Sequence, residues 1–170
     1  MTPSYKISKD DWQYLLPFLA CLICFLGTDL FGFIKKINLA YWSGGLLFEP
    51  HRIITAHFIH GNFNHLLANT FGIVVSRYCL KGLRLKANYF FLLLVGLLIP
   101  LQTFIFWFID IFLFRNPLSL AIGFSGILYG VNAFIFLSST YGKKNFIGIE
   151  IDLSKEPQIR QTIIIVTGAG

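Results

Sequence analysis

Hydrogen-bonding side chains are concentrated in two short stretches of an otherwise apolar sequence. The first, HFIHGNFNHLLANTFG at residues 57–72, contains three histidines and three asparagines. The second, GFSGILYG at residues 123–130, places Ser125 between glycines. Polar side chains inside a bilayer are costly and usually functional, so both stretches point to a chemical role.

Acyl transfer is the chemistry that these residue types suit. His65 and Asn69 are four residues apart, so in a helix they share one face. Ser125 is the candidate nucleophile. When a hydroxyl attacks a carbonyl, an oxyanion forms that needs hydrogen-bond donors, and histidine and asparagine side chains can donate. The hydroxyl also needs a base within reach. Tyr129 follows Ser125 by four residues and shares its helical face.

The elements that must position these residues are membrane helices. The chain has 170 residues, of which 55% are hydrophobic and 13% are charged, whereas soluble domains carry about 25% charged residues. Apolar stretches predict helices at about residues 15–34, 62–80, 87–109 and 118–137, and the start of a fifth at 162–170. We expect one domain over residues 1–170, an all-α polytopic membrane fold, with a kink at Pro100.

The distribution of basic residues predicts the orientation. Of the fourteen lysines and arginines, ten fall on the side of the N-terminus and four on the other side. The positive-inside rule therefore predicts a cytoplasmic N-terminus, in a bacterial inner membrane. Residues 35–61 would then form an outer loop, amphipathic but too broken by Gly44, Gly45 and Pro50 to span, which we expect to lie partly in the interface. The histidine stretch and Ser125 would lie at similar depth.

Three other functions are disfavoured. The net charge of +6 comes from basic residues between apolar runs, so we expect no nucleic-acid partner. Cys21 and Cys24 form a C-x-x-C in an apolar helix, which favours packing over redox chemistry. His57, His60 and His65 could bind a metal, but no carboxylate or cysteine lies near them in sequence. We expect neither a metal nor a cofactor.

Together, the two stretches resemble the rhomboid intramembrane serine proteases, and a compact branch of that family, the rhombosortases, is also compatible with them. The family pairs H-x-x-x-x-H-x-x-x-N on its second helix with G-x-S-G on its fourth. This sequence contains both elements, as His60, His65, Asn69, Gly123, Ser125 and Gly126. The outer loop also resembles that of the family, with His51-Arg52 where Trp-Arg is usual.

The resemblance implies a role for each chemical residue. Ser125 would be the nucleophile. The oxyanion hole would be formed by the Ser125 backbone N–H together with the side chains of His65 and Asn69. Tyr129 would stack on the catalytic histidine. The substrates would be transmembrane or membrane-anchored proteins, cut near the outer face of the bilayer.

The resemblance also implies supporting roles. Gly126 and Gly130 form a small-x-x-x-small pattern that lets another helix approach closely, and in the family that neighbour is the sixth helix. Gly123 completes the serine motif. His60 matches a family histidine that is structural more than chemical, and Arg52 matches the arginine of the family's outer loop.

The general base is the part of the family pattern that this sequence lacks. Rhomboids take their base histidine from the sixth helix, whereas all four histidines here precede Ser125. About five of the usual six helices are present, and the chain as given is expected to be inactive, as a truncated copy of a protease. Two alternatives stay open. One is a non-catalytic rhomboid-like protein that binds transmembrane clients. The other is His57 or His65 acting as an improvised base.

Overall fold

The computed structural model describes residues 11–82, 89–141, 144–146 and 149–151. Within these ranges the chain is mostly helical, as the apolar pattern predicts. Its five α-helices are α1 (Trp12–Phe25), α2 (Arg52–Thr55), α3 (Phe63–Gly82), α4 (Phe90–Phe108) and α5 (Ser125–Tyr141). A wider helical turn extends two of them, Leu26–Leu30 after α1 and Ile109–Leu113 after α4. The result is an all-α membrane fold of the expected class.

Two short antiparallel ladders accompany the helices. Strand β1 (Tyr41–Trp42) pairs with β2 (Leu120–Ala121), so that Tyr41 lies opposite Ala121. Strand β3 (Lys144–Phe146) pairs with β4 (Ile149–Ile151) after α5. The first ladder matters for function because it joins the outer loop to the segment that leads into α5.

Helix α5 packs between α3 and α4, and α1 contacts both of those helices. Glycines permit the close approach. A Cβ at Gly72 of α3 would lie 2.5 Å from Leu128 Cδ1 of α5, and a Cβ at Gly130 of α5 would lie 2.8 Å from Leu98 Cδ1 of α4. The buried core around these contacts consists of apolar side chains from all four long helices, including Cys21, Leu66, Ile73, Phe91, Val95, Ile127, Val131 and Ile135.

Two segments are long and apolar enough to cross a bilayer, Trp12–Leu30 and Phe90–Leu113, and a shorter apolar helix covers Ser125–Leu137. The predicted helix at 62–80 is α3. The predicted helix at 15–34 ends early, at Leu30, because Gly32 takes a φ of +64°, which ends a helix. Helix α4 continues across Pro100. The fifth predicted run, 162–170, lies outside the described residues.

The predicted start of the fourth membrane helix at residue 118 is wrong. Helix α5 begins only at Ser125. The preceding residues make their backbone hydrogen bonds elsewhere, since Leu120–Ala121 pair with β1 and the Gly123 N–H donates to Ala56 O at 2.9 Å. Gly123 also has a φ of +112°, which a right-handed helix excludes. Tertiary pairing therefore overrides the apolar character of this segment.

Arg52 organises the outer loop from within. Its side chain is buried, at 7% exposure. The guanidinium Nη1 donates to Ile37 O and to Ala40 O, each at 2.6 Å, and Nε donates to the carboxylate of Glu49. The ring of Trp42 lies beside it, with the guanidinium carbon 5.8 Å from the ring centroid. One side chain thus satisfies two loop carbonyls and one carboxylate.

We predict that Arg52→Ala destabilises the protein by about 1–3 kcal/mol, because it leaves one buried and one partly buried carbonyl without their donor. Thermal unfolding in detergent micelles, followed by intrinsic fluorescence, measures the change. Lys35→Ala is the control, since Lys35 is exposed in the same loop, and it should change stability by less than about 0.5 kcal/mol. Equal losses for the two variants would contradict a structural role for Arg52.

Candidate active site

Ser125 is the first residue of α5. The first backbone hydrogen bond of the helix runs from Leu128 N–H to Phe124 O, so the N–H groups of residues 125–127 have no partner within the helix. The positive end of the helix dipole lies at the same point. An anionic oxygen next to Ser125 would therefore find backbone donors and a favourable field.

The ring of His65 lies against Gly123, two residues before Ser125. A Cβ at Gly123 would lie 2.7 Å from His65 Cε1, 2.8 Å from His65 Nε2 and 3.8 Å from Ser125 Oγ. The His65 imidazole and the Ser125 hydroxyl therefore both lie close to the α-carbon of Gly123. The structure brings these two predicted residues together, and any side chain at position 123 would collide with the imidazole.

A hydrogen bond determines which nitrogen of His65 carries the proton. The Gly61 N–H donates to His65 Nδ1 at 3.4 Å. A neutral imidazole has one acceptor and one donor nitrogen, so Nε2 carries the proton. That N–H lies on the side of Gly123. In this tautomer His65 is a donor next to Ser125 and not a proton acceptor.

Asn69 lies one turn further along α3 on the face of His65. Its side chain is buried, at 3% exposure, and its Nδ2 has no hydrogen-bond partner within the described part of the chain. Buried polar atoms are nearly always paired, so an unpaired donor needs an explanation. A donor that is used only when a substrate is bound is one such explanation.

His60 supports His65. It is fully buried, its Nδ1 donates to Phe58 O at 3.1 Å, and its ring meets the His65 ring edge-on with centroids 5.1 Å apart. Burial lowers the pKa of His60 to about 4, and the neighbouring His65 contributes further. His60 is therefore neutral at pH 7 and acts as a packing partner for the His65 ring.

A cavity of about 250 Å³ opens on the other side of Ser125, toward α4. Its walls come from the outer loop, from α4 and from the start of α5. The side chains with hydrogen-bonding groups among the lining residues are those of Tyr41, His57, Gln102, Thr103, Ser125 and Tyr129. His65 and Asn69 are not among the lining residues. Ser125 thus lies between the His65 ring on its α3 side and a cavity on its α4 side.

Sequence reasoning missed Gln102 and Thr103. Apart from Trp107, they are the only residues of α4 with hydrogen-bonding side chains, and a polar pair in an apolar helix was the available signal. The Thr103 hydroxyl donates to Ile99 O at 2.9 Å, so it must accept from His57 Nε2, also 2.9 Å away. Burial lowers the pKa of His57 below its ordinary value. His57 is therefore neutral, and its Nε2–H donates a hydrogen bond to the Thr103 hydroxyl.

The glycine pattern on α5 has a different neighbour from the one expected. The family resemblance implies that Gly126 and Gly130 face a sixth helix. Among the described residues, α4 covers both positions: the Gln102 carboxamide fills the space that a side chain at Gly126 would need, and Leu98 lies against Gly130. Within the described residues, α4 is the helix in close contact with this face, and the expected contact with a sixth helix stays a prediction.

Of the remaining predicted residues, Arg52 holds the outer loop, and Tyr129, at 65% exposure, lines the cavity beside Ser125. His51 is exposed, and its Nε2 lies 3.1 Å from Asn38 O. Across the ranges that the structure covers, no group of three or more His, Cys, Asp or Glu side chains is placed to hold a metal ion.

Comparison with known proteins identifies the family. Residues 47–168 match the model of the Rhomboid domain, which is more than half of the chain. The comparisons with curated proteins and with solved structures gave no match. Rhomboids are integral membrane proteins, generally serine proteases that act on membrane-protein substrates within the bilayer. The matched segment contains α3, α4, α5 and both polar stretches, and the chain belongs to the rhomboid family.

Proposed function

We propose that this chain carries the nucleophile and the oxyanion-binding part of a rhomboid-type serine endopeptidase. Its substrates are transmembrane or membrane-anchored proteins, cut near the outer face of the membrane. One observation carries the proposal: the His65 imidazole and the Ser125 hydroxyl lie around Gly123, at the N-terminus of α5. The arrangement supplies donors where a hydroxyl attack on a carbonyl would place negative charge.

In the proposed reaction, Ser125 Oγ attacks the carbonyl carbon of the scissile peptide and loses its proton to a base. The carbonyl π electrons move to the oxygen. That oxyanion accepts hydrogen bonds from the Ser125 backbone N–H, from His65 Nε2 and from Asn69 Nδ2. Collapse of the intermediate breaks the C–N bond, and the base returns its proton to the leaving amine. Water then hydrolyses the acyl-enzyme.

The base in this proposal is a histidine of a sixth helix, as the family resemblance implies. The four histidines of the chain have other tasks: His51 lies in the outer loop, His57 donates to Thr103, His60 supports the His65 ring, and His65 is a donor. Within the described residues, no hydrogen bond joins any of the four histidines to the Ser125 hydroxyl. We therefore propose that the 170-residue chain does not cleave by itself.

A second candidate function is a non-catalytic rhomboid-like protein that binds transmembrane clients. The observation in its favour is the same assignment of all four histidines to tasks other than proton acceptance. A fluorophosphonate probe separates the two functions once a histidine-bearing helix is supplied, because only an activated serine reacts with it. Labelling that disappears in Ser125→Ala would support the protease.

We predict that fusing the histidine-bearing helix of an active rhomboid to this chain produces cleavage of a model transmembrane substrate, and that Ser125→Ala abolishes it. His65→Ala or Asn69→Ala should lower the rate about 10²–10³-fold, the usual loss for one oxyanion donor. Cleavage in liposomes, read on gels, measures the rate. Asn64→Ala is the matched control, since Asn64 is exposed in the first turn of α3 and should leave the rate unchanged.

The unextended 170-residue chain should show no cleavage above background in the same assay, because a neutral hydroxyl without a base is a poor nucleophile. Ser125-dependent turnover by that chain would mean that one of its own histidines acts as the base. His57→Gln and His65→Gln would then identify which one.

The orientation yields a separate prediction. From the ten-to-four distribution of basic residues, we propose that the N-terminus is cytoplasmic. In a variant lacking the three native cysteines, Asn64→Cys should react with a membrane-impermeant thiol reagent added to intact cells. Lys144→Cys should react only after the cells are lysed. The reverse pattern would place the histidine stretch and Ser125 at the inner face and overturn the proposed orientation.

A further inference from the structure

Gln102 carries a carboxamide near the middle of an apolar helix, and this group has no hydrogen-bond partner among the residues that the structure describes. Its neighbour Thr103 is fully engaged with Ile99 O and His57. The Gln102 side chain makes no hydrogen bond to any residue in the described ranges and lines the cavity beside Ser125. An unpaired carboxamide in a membrane helix is unfavourable, so its presence points to an occupant of the cavity that pairs with it.

The position of the carboxamide relates it to the nucleophile. It packs on Gly126, the residue that follows Ser125, in the space that a side chain there would need. The residue that contributes the attacked carbonyl carries its side chain on the α-carbon, which is bonded directly to the carbonyl carbon. That side chain must therefore lie close to Ser125. The cavity that Ser125 and Gln102 share is the space open to it.

We propose that Gln102 is a specificity residue that selects substrates with a neutral hydrogen-bonding side chain, such as Gln, Asn, Ser or Thr, immediately before the scissile bond. This inference rests on the proposed function of Ser125. The carboxamide has two N–H donors and one oxygen acceptor, so it can either donate to or accept from an amide or a hydroxyl group.

The other walls of the cavity favour the same class of side chain. No Asp, Glu, Lys or Arg is among the lining residues, and His57 is neutral, so a charged side chain would be buried there without a counter-charge. An apolar side chain would fit beside Phe106 and Ile122 but would leave Gln102 unpaired. Because the half-buried Gln102 carboxamide lines the cavity, a side chain that can pair with it should bind better than one that cannot.

The test measures binding and needs no chemistry. The Ser125→Ala chain is placed in liposomes, and its affinity for fluorescent transmembrane peptides is measured by energy transfer. The register is first fixed by disulfide cross-linking of Ser125→Cys to a cysteine-scanned peptide. Three peptides then carry Gln, Leu or Lys at the residue opposite Ser125. We expect the Gln peptide to bind about 3- to 10-fold more tightly than the Leu peptide, the effect of one neutral hydrogen bond.

Substitutions at position 102 should change this order. Gln102→Leu should reverse the preference toward the Leu peptide, and Gln102→Glu should favour the Lys peptide, a gain that a merely misfolded variant cannot show. Leu101→Met is the matched control, since Leu101 is exposed on the same helix, and it should preserve the original order. An unchanged Gln-to-Leu ratio in Gln102→Leu would overturn the inference.

The binding test and the cleavage test fail independently. If the extended chain cleaves in a Ser125-dependent manner but the peptide order is insensitive to position 102, the role of Gln102 is wrong and the protease proposal stands. If the peptide order follows position 102 but the extended chain never cleaves, the protease proposal is wrong. Gln102 would then select clients for a non-catalytic binder.

Discussion

The contact between the His65 imidazole and the backbone of Gly123 is the constraint on which the site depends. Only a residue without a Cβ leaves room for the ring, and only glycine readily adopts the φ of +112° found here. That conformation stops the chain from continuing the extended segment and lets α5 begin at Ser125. Gly123 thus sets where α5 begins, where the Ser125 hydroxyl lies and how closely the His65 ring approaches.

The outer loop holds this contact in place from the side of the membrane surface. Strand β1 pairs with the residues just before Gly123, and the Ser43 hydroxyl donates to Asn116 O at 2.8 Å and accepts from Ser119 N–H at 3.2 Å. Tyr41 extends the connection to α4 by donating to Asp110 at 2.9 Å. Because Arg52 fixes the other half of the same loop, the loop is a structural part of the site and not merely a connection.

The sequence predicted the features that depend on local pattern. The helical membrane fold follows from long apolar runs, and the spacing within two motifs selects His65, Asn69 and Ser125, whose chemical roles stay predictions. Strands β1 and β2 could not be predicted, since each has two residues and forms only because distant segments meet. The predicted start of this helix at residue 118 was wrong for the same reason, because the residues before Ser125 pair with the distant strand β1. The local pattern marks Gln102 only as a polar residue in an apolar helix, and its proximity to Ser125 depends on how distant segments pack, so its place in the site was missed.

Two unpaired polar groups of the candidate site follow a common logic. Asn69 Nδ2 lies on the α3 face of His65, the Gln102 carboxamide lines the cavity beside Ser125, and neither has a hydrogen-bond partner among the residues that the structure describes. Leaving such groups unpaired lowers stability, so a protein under selection for stability alone would replace them with apolar side chains. Donors already in place require no reorganisation when negative charge appears. The two open groups therefore mark where a substrate, and not the protein, would complete the hydrogen bonding.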